Sequence, residues 1–593
     1  MNHLVSNSPF FSNSSNFDAF RLIKESIYSG RLQVLIAIIF LFGSPFASAQ
    51  DLQWVKQIRG SENIYATGIT VDIDGNVYTV GRFEESADFD PSDETNFISS
   101  LGFEDMFIAK FDPAGELIWA DRFGGTGTVL GTSIAIDDDA NIYVTGAFRD
   151  TIIFNPPGST PTLISEGERD VIVMKLNTDG DVYWAKSLGG LSHELGADIV
   201  VDQEGNVITT GRFSGSGDFD PGAGVFTLES EGIDDIFVSK LDPDGNFVWA
   251  KEMVGTQTNS GRGVDVDNSG NIYTTGQFSG TADFDPSEET FELNSISSSA
   301  VFVSKLSAEG DFVWAKQFAG NGSRGEDIAV DDETNIYTTG SFWGLQDFDP
   351  GVSQALLESE GSSDVFVSKL DGDGNYLWAK KFGGSASDLG LSIFTDASGV
   401  YTTGGFRNEA IFDFDAEEED PLISAGSRDI FVSKLSSSGN LIWAAQMGGP
   451  DSDEGTDIFI DGNGVVYTIG VFQETADLDP GLGTANLTSL GNRDTFFSKL
   501  NQITGTRDYT SYGKKITFQP NPAKDYSILS WDREFQLNYL EVFDLNGKLL
   551  FAETVTQRPY QMNLQGLNSG IYIVKVSDRN SNRGFMGKLV VLD

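Results

Sequence analysis

Cysteine is absent from all 593 residues, and histidine occurs only twice. The first absence excludes a disulfide framework, a thiolate zinc site, an iron–sulfur cluster, a cysteine nucleophile and a lipidated N-terminal Cys. The second excludes a multi-histidine metal centre, since one of the pair, His3, lies at the start of the sequence. Basic residues are scarce: 38 Lys and Arg against 88 Asp and Glu leave a formal charge of −50. Phosphate binding needs a basic surface, so this balance argues against a nucleic-acid partner. Long hydrophobic runs are missing too. The longest, LQVLIAIIFLF at residues 32–42, falls short of the roughly 18 residues that span a bilayer, so the sequence predicts no integral membrane segment.

That run follows Arg31 and precedes Gly43, Ser44, Pro45 and the small residues Ala47, Ser48 and Ala49. The pattern is that of a secretory signal peptide over residues 1–49, with cleavage between Ala49 and Gln50. The thirty residues up to Ser29 and Gly30 make an unusually long n-region, which a start assigned too far upstream would explain. A single membrane anchor is the alternative reading of the run.

What is present is a large apolar complement, 39% hydrophobic with 45 Phe, and a strict period. Trp stands at 54, 119, 184, 249, 314, 378 and 443, at gaps of 65 residues with a single 64. A fixed period is the signature of a repeat fold. One copy runs from 261 to 316 and holds four strand-like stretches, rich in β-branched and aromatic residues and bounded by Gly, Asn or Asp. Labelled a to d, they are VDV, NIYTTG, VFVSKL and DFVWAK. Four short strands per repeat without helical periodicity predict a β-propeller; an open β-solenoid is the alternative. Each stretch occurs seven times, but the first d, LQWVKQI at 52–58, precedes every a, b and c, and the last c has no d after it. The offset predicts that the N-terminal strand completes the last blade and removes the open edges. The expected architecture is all-β: a seven-bladed propeller of four-stranded blades over residues 50–505, followed by a small Ig-like sandwich.

The combination GNIYTTGQF (270–278), DFDP (283–286), FVSKLDPDGNFVWAK (237–251) and FGG (382–384) resembles the SBBP repeat family of bacterial β-propellers. The resemblance covers all seven units and implies an architecture and an extracellular setting, with no established activity. The even recurrence of Trp also resembles quinoprotein propellers, and here it fits packing between blades.

Alternating strand direction puts the short a–b and c–d turns on one face and the b–c and d–a loops on the other. The turns, such as Asp242 to Asn246, read as tight structural reversals rather than calcium loops, lacking the spaced ligands and terminal Glu of an EF-hand. The b–c connections run to about twenty residues on a rigid scaffold, where binding usually resides. They carry paired carboxylates in six blades: Asp88/Asp90, Asp218/Asp220, Asp283/Asp285, Asp347/Asp349, Asp413/Asp415 and Asp477/Asp479, with Ile153 and Asn155 in the second blade. Period two puts the intervening Phe, or Leu478 in the last blade, on the side opposite the carboxylates. A cation beside each pair is expected. The Lys of strand c (110, 175, 240, 305, 369, 434, 499) is the favoured partner, with calcium the alternative and the one candidate cofactor; free acidic surface is the third reading.

No G-x-S-x-G elbow accompanies His193, so a Ser-His-Asp triad is not supported. Carboxylate-only glycoside chemistry would need just two Asp or Glu, but near-identical blades argue against an asymmetric centre. The sequence therefore points to no catalytic residue, with a carboxylate-dependent polysaccharide-active enzyme as the alternative function.

Composition shifts near the end. Residues 50–513 hold 25 basic and 78 acidic groups, whereas 514–593 hold ten and eight. Residues 506–513 read as a linker. Strand-like runs at 516–518, 526–531, 539–543, 548–555, 571–577 and 587–592 follow. Phe518-Gln519-Pro520-Asn521-Pro522, LEVFDLNGKLL (540–550), LNSGIYIVKV (567–576, with Gly570 and Tyr572) and KLVVL from Lys588 resemble a type A C-terminal sorting domain of the type IX secretion system; an ordinary Ig-like accessory domain is the alternative. Gln519 replaces the aromatic residue common before Pro-Asn-Pro. The resemblance implies passage through the periplasm, export by the type IX machinery of a Gram-negative bacterium, and removal of 514–593 by its sorting peptidase. The expected product is a secreted or cell-surface protein that binds or adheres to an extracellular glycan or protein.

Overall fold

In the computed structural model, residues 50–154, 162–296, 298–412, 421–481 and 483–502 are described, followed by strands and adjoining residues between 517 and 591. The signal segment 1–49, Ala49 included, and the linker 506–513 lie outside the described residues. Every regular element among the described residues is a strand.

Seven antiparallel sheets form the first part, each built on four strands and three of them continued to six by a neighbouring two-stranded hairpin. In the first, strands a to d are Ile64–Val71, Val77–Phe83, Asp105–Phe111 and Leu117–Phe123. Strand c is buried along its whole length, because neighbouring blades cover both of its faces; strand d, at the rim, is mostly half-buried. This is why c reads as a continuous apolar run rather than an alternation. In the seventh sheet, strand c, Asp494–Gln502, pairs antiparallel with the N-terminal strand Gln50–Gly60, from Gln50 opposite Gln502 to Ile58 opposite Thr495. Strand a of each sheet packs against that of the next, and the seventh packs against the first. The propeller is thus closed as expected, with the N-terminal strand covering strand c of the seventh blade.

The apolar cores lie between blades rather than within them. Tyr467, Ile469 and Phe497 of the seventh sheet share one core with Ile69, Val71, Phe107 and Phe111 of the first, and the same arrangement recurs around the ring.

A Tyr–Lys–Trp line crosses each sheet at the turn face. In the third blade Ile208 stands at the Tyr position, Lys240 pairs with it, and Trp249 lies opposite Lys240; in the second the line is Tyr143, Lys175 and Trp184. Lys175 Nζ and Trp184 Nε1 donate to one acceptor, the Pro243 carbonyl in the c–d turn of the next blade, at 3.4 and 3.1 Å. Lys499 and Trp54, from opposite ends of the ring closure, share the Pro113 carbonyl likewise. The turn glycine needs both its left-handed backbone and its missing side chain: Gly245 has φ +76°, and a Cβ there would lie 2.8 Å from the Trp184 ring. The sixth blade breaks the pattern. Its neighbour's outer strand comes from the N-terminus, leaving no c–d turn there, and Lys434 donates instead to Ser398 Oγ at 2.8 Å.

The C-terminal strands form a three-stranded and a four-stranded sheet around one core containing Leu529, Val542, Met562, Val574 and Leu589. The sequence predicts six strand runs here, and seven strands are present among the described residues. The extra one, Tyr560–Asn563, has a single buried side chain, Met562, too weak a pattern to stand out in sequence.

Candidate functional site

The b–c connections are hairpins rather than open loops. In the first blade Ser86–Asp88 pairs with Phe97–Ser99, and Asp88 also pairs with Arg59 at the end of the preceding blade's outer strand. Asp218, Asp283, Asp347 and Asp477 make the equivalent pairing with Gly189, Val254, Ala319 and Gly448. Ile153 of the second blade pairs with Gly124 in the same way, so the backbone device survives loss of the carboxylate. Each hairpin therefore clips one blade to the one before it.

The first aspartate of each pair serves as a turn former. Asp88 Oδ1 accepts the Asp90 amide at 3.2 Å and the Asn96 amide at 2.8 Å; Asp218, Asp283, Asp347 and Asp477 repeat both bonds. The second aspartate, as Asp90, Asp220, Asp285, Asp349 or Asp479, caps the amide two residues on. Asp413 and Asp415 lie outside the described residues. Between the carboxylates Phe89, Phe219, Phe284, Phe348 and Leu478 are fully buried, as period two requires.

Among the described residues the expected pairing of DFDP aspartates with strand-c lysines is not seen. Those lysines sit at the turn-face end of the sheet, where Lys240 lies 3.0 Å from Asp202. Antiparallel register separates the two groups: DFDP follows the end of strand b, whereas the lysine lies opposite the beginning of strand b. Asp88 instead pairs with Arg59, at 3.4 Å. Among the described residues no group of three or more His, Asp or Glu stands together as a metal-holding set.

The chemistry that differs from blade to blade is concentrated around the axis of the long-loop face, a site the sequence reading missed. Seven of the eleven arginines between residues 50 and 502 occur there. Arg82 and Arg212 are next to last in strand b; Arg262 and Arg324 lie near the start of strand a; Arg169, Arg428 and Arg493 immediately precede strand c. A signal existed in the repeat itself. In the motif G-x-F that ends strand b, x is Arg82, Ala147, Arg212, Gln277, Ser341, Gly405 and Val471 while its neighbours stay constant.

Some of these cations are paired. Arg82 stacks over Tyr65 at 4.7 Å and binds Glu104 at 3.1 Å, with Arg493 also over the Tyr65 ring. Arg428 pairs with Glu454. Arg262 and Arg324 share one carboxylate, Glu326. Burial pulls the Arg262 guanidinium below its ordinary pKa, Glu326 opposes the shift, and Arg324 and Arg212 add to it. His193 lies beside them: burial and the charges of Arg169 and Arg212 hold its pKa below the usual value, against Asp234.

Beneath this mouth lies a ring of buried carboxylates on the bulged strands a. Asp198 Oδ2 accepts the Val264 amide of the next blade, and Asp327 accepts that of Ile393. Asp457 accepts the Ile69 amide across the ring closure. Ser133 and Ser392 donate to Asp198 and Asp457. Burial raises these carboxyls, Asp457 to about 6 and the nearby Asp265 to about 7, and mutual repulsion adds to the shift. Each of these carboxylates joins two blades.

In the sorting region Gly570, Tyr572 and Lys588 lie in paired strands, opposite Val591, Leu589 and Ile573. Pro520, Asn521 and Pro522 lie outside the described residues. Gln50 begins the strand that closes the propeller.

Comparison with known proteins agrees with both parts. Residues 53–82 and 313–348 match the SBBP β-propeller repeat, and residues 517–591 match the secretion system C-terminal sorting domain. The chain therefore carries SBBP propeller repeats and a type IX sorting domain, which directs it to the surface or surroundings of a Gram-negative cell. An uncharacterized WD repeat-containing protein of Acanthamoeba polyphaga mimivirus is 21% identical over 501 residues, 71% of this chain and 36% of the relative. The regulatory protein FlaEY of Caulobacter vibrioides is 25% identical over 29% of this chain and 17% of its own. This chain thus spans about a third or less of either relative. Among solved structures, PorZ, a surface component of the type IX secretion system of Porphyromonas gingivalis, aligns at 12% identity and TM-score 0.16, over 91% of this chain and 100% of its own. A Bacteroides caccae protein of unknown function aligns at 10% identity and TM-score 0.28, over 57% and 89%.

Proposed function

We propose that residues 50–505 act as a non-catalytic extracellular binding or adhesion propeller, delivered by the address at 514–593 and engaging its ligand at the axial mouth of the long-loop face. The observation that carries this reading is the contrast between constant and variable positions. Lysine, tryptophan, DFDP and turn residues recur because they join blades, whereas the mouth changes its side chains from blade to blade on the same backbone. Strands hold these side chains in place, so little ordering would be lost on binding. In this reading the DFDP aspartates build hairpins and do not ligate calcium. The buried carboxylates around the axis are joints between blades, which sets them apart from a general acid and its partner.

The cysteine-free chain allows a direct test. Ser427→Cys places a thiol at an exposed position beside Arg428, and Asp244→Cys places one on the opposite face. Each exported variant, carrying a bulky maleimide polymer, is applied to immobilised glycans and to cell-surface material. The expected result is saturable binding that survives the label at 244 and is lost with the label at 427, with no glycan fragments released. Equal binding by both labelled variants, or fragment release, overturns the reading.

A further inference from the structure

We infer that the arc formed by Arg169, Arg212, Arg262 and Arg324 is a binding site for a single oxyanion, a carboxylate or sulfate carried by a ligand that is otherwise uncharged. This deepens the reading above and rests on it. The arc runs across the second to fifth blades: Arg169 pairs through its backbone with His193, Arg212 stands opposite Leu195, two residues past His193, and the neighbouring Gly211 carbonyl lies against Gly261, beside Arg262, in the next blade. Arg262 meets Arg324 at Glu326. Four arginines thus follow one another along the arc, with Glu326 and Asp234 opposing their charge.

The absence of internal neutralisation identifies the ligand's charge. Residues 50–513 carry 78 acidic groups, yet among the described residues neither Arg169 nor Arg212 has a carboxylate partner. Planar guanidinium forks match carboxylate and sulfate oxygens in paired bonds. Cations gathered in this way suit an acceptor from outside. The rest of the surface limits the ligand's size and charge: at −53, the domain repels an extended polyanion beyond the reach of the arc. A single acidic group presented along the axis avoids that repulsion.

The test is calorimetric titration of the full exported protein with glucuronate, with glucose as the neutral control and sulfate as competitor. Glucuronate is expected to saturate one site, with glucose silent. Arg212→Gln should weaken binding at least tenfold, Arg212→Lys should restore part of it, and Arg149→Gln, exposed and outside the arc, should leave it within twofold. Raising salt should weaken binding. Competition by sulfate identifies an oxyanion site, and failure to compete identifies a carboxylate site; either supports the inference. No saturable glucuronate binding, or binding unaltered by Arg212→Gln, overturns it. If glycan binding at the labelled face persists under Arg212→Gln and excess glucuronate, the anion site fails while the binding propeller stands.

Discussion

Glu194 is completely buried and accepts the Gly190 amide, and burial pushes its carboxyl up to about 8. Asp453 is raised to about 7, and Asp170, Asp364, Asp388 and Asp429 to about 6, from the same cause. A carboxyl with a raised folded pKa keeps its proton in the folded state while the unfolded chain has lost it. The folded state then binds more protons, so stability falls as pH rises from the unfolded values near 4 to the folded values near 8. The expected outcome is a higher urea midpoint at pH 5.5 than at pH 8, with a shallower dependence in Glu194→Gln. At the DFDP aspartates the amide bonds leave the turn oxygens engaged. Thermal unfolding should therefore be the same with excess calcium as with chelator; an upward, saturable shift would restore the ion-site reading.

At the scale of elements, the hairpin beside each strand b begins from a left-handed residue. Gly215, Gly280 and Gly344 adopt it freely, whereas Glu85, Asp150, Asn408 and Glu474 adopt it with φ between 51° and 66°. A side chain in that region costs about 1 kcal/mol or more. Glu474→Gly should therefore stabilise the protein by about 1 kcal/mol, less the extra entropy of glycine in the unfolded chain; chemical denaturation reads the difference. The hairpins themselves illustrate how far sequence reasoning reaches. DFDP and its buried Phe were visible, but strands of three residues carry too little periodicity to be seen, and their partner belongs to another blade.

For the whole molecule, closure depends on one strand. Gln50–Gly60 supplies the outer strand of the seventh blade, and Trp54 reaches the first blade through Pro113. Deleting residues 50–60 should expose strand Asp494–Gln502 as a bare edge and uncover the core shared by the seventh and first blades. Self-association in size-exclusion chromatography and a broadened, less cooperative unfolding transition are the expected results. A deletion that remained monomeric with unchanged cooperativity would show that the ring does not need its closing strand.

The sequence by itself determined the repeat, the closing strand, the acidic surface and the export address, because each is written in local composition or in a fixed interval along the chain. Tertiary structure decided what the repeated charges do. Lys175 and Asp218 recur with the same period, and only antiparallel register shows that they stand at opposite ends of their sheets. Arg169, Arg212, Arg262 and Arg324 are spread over more than 150 residues, and only the circular stacking of blades brings them together around one axis. Proximity between blades depends on ring closure, which spacing within one repeat does not encode.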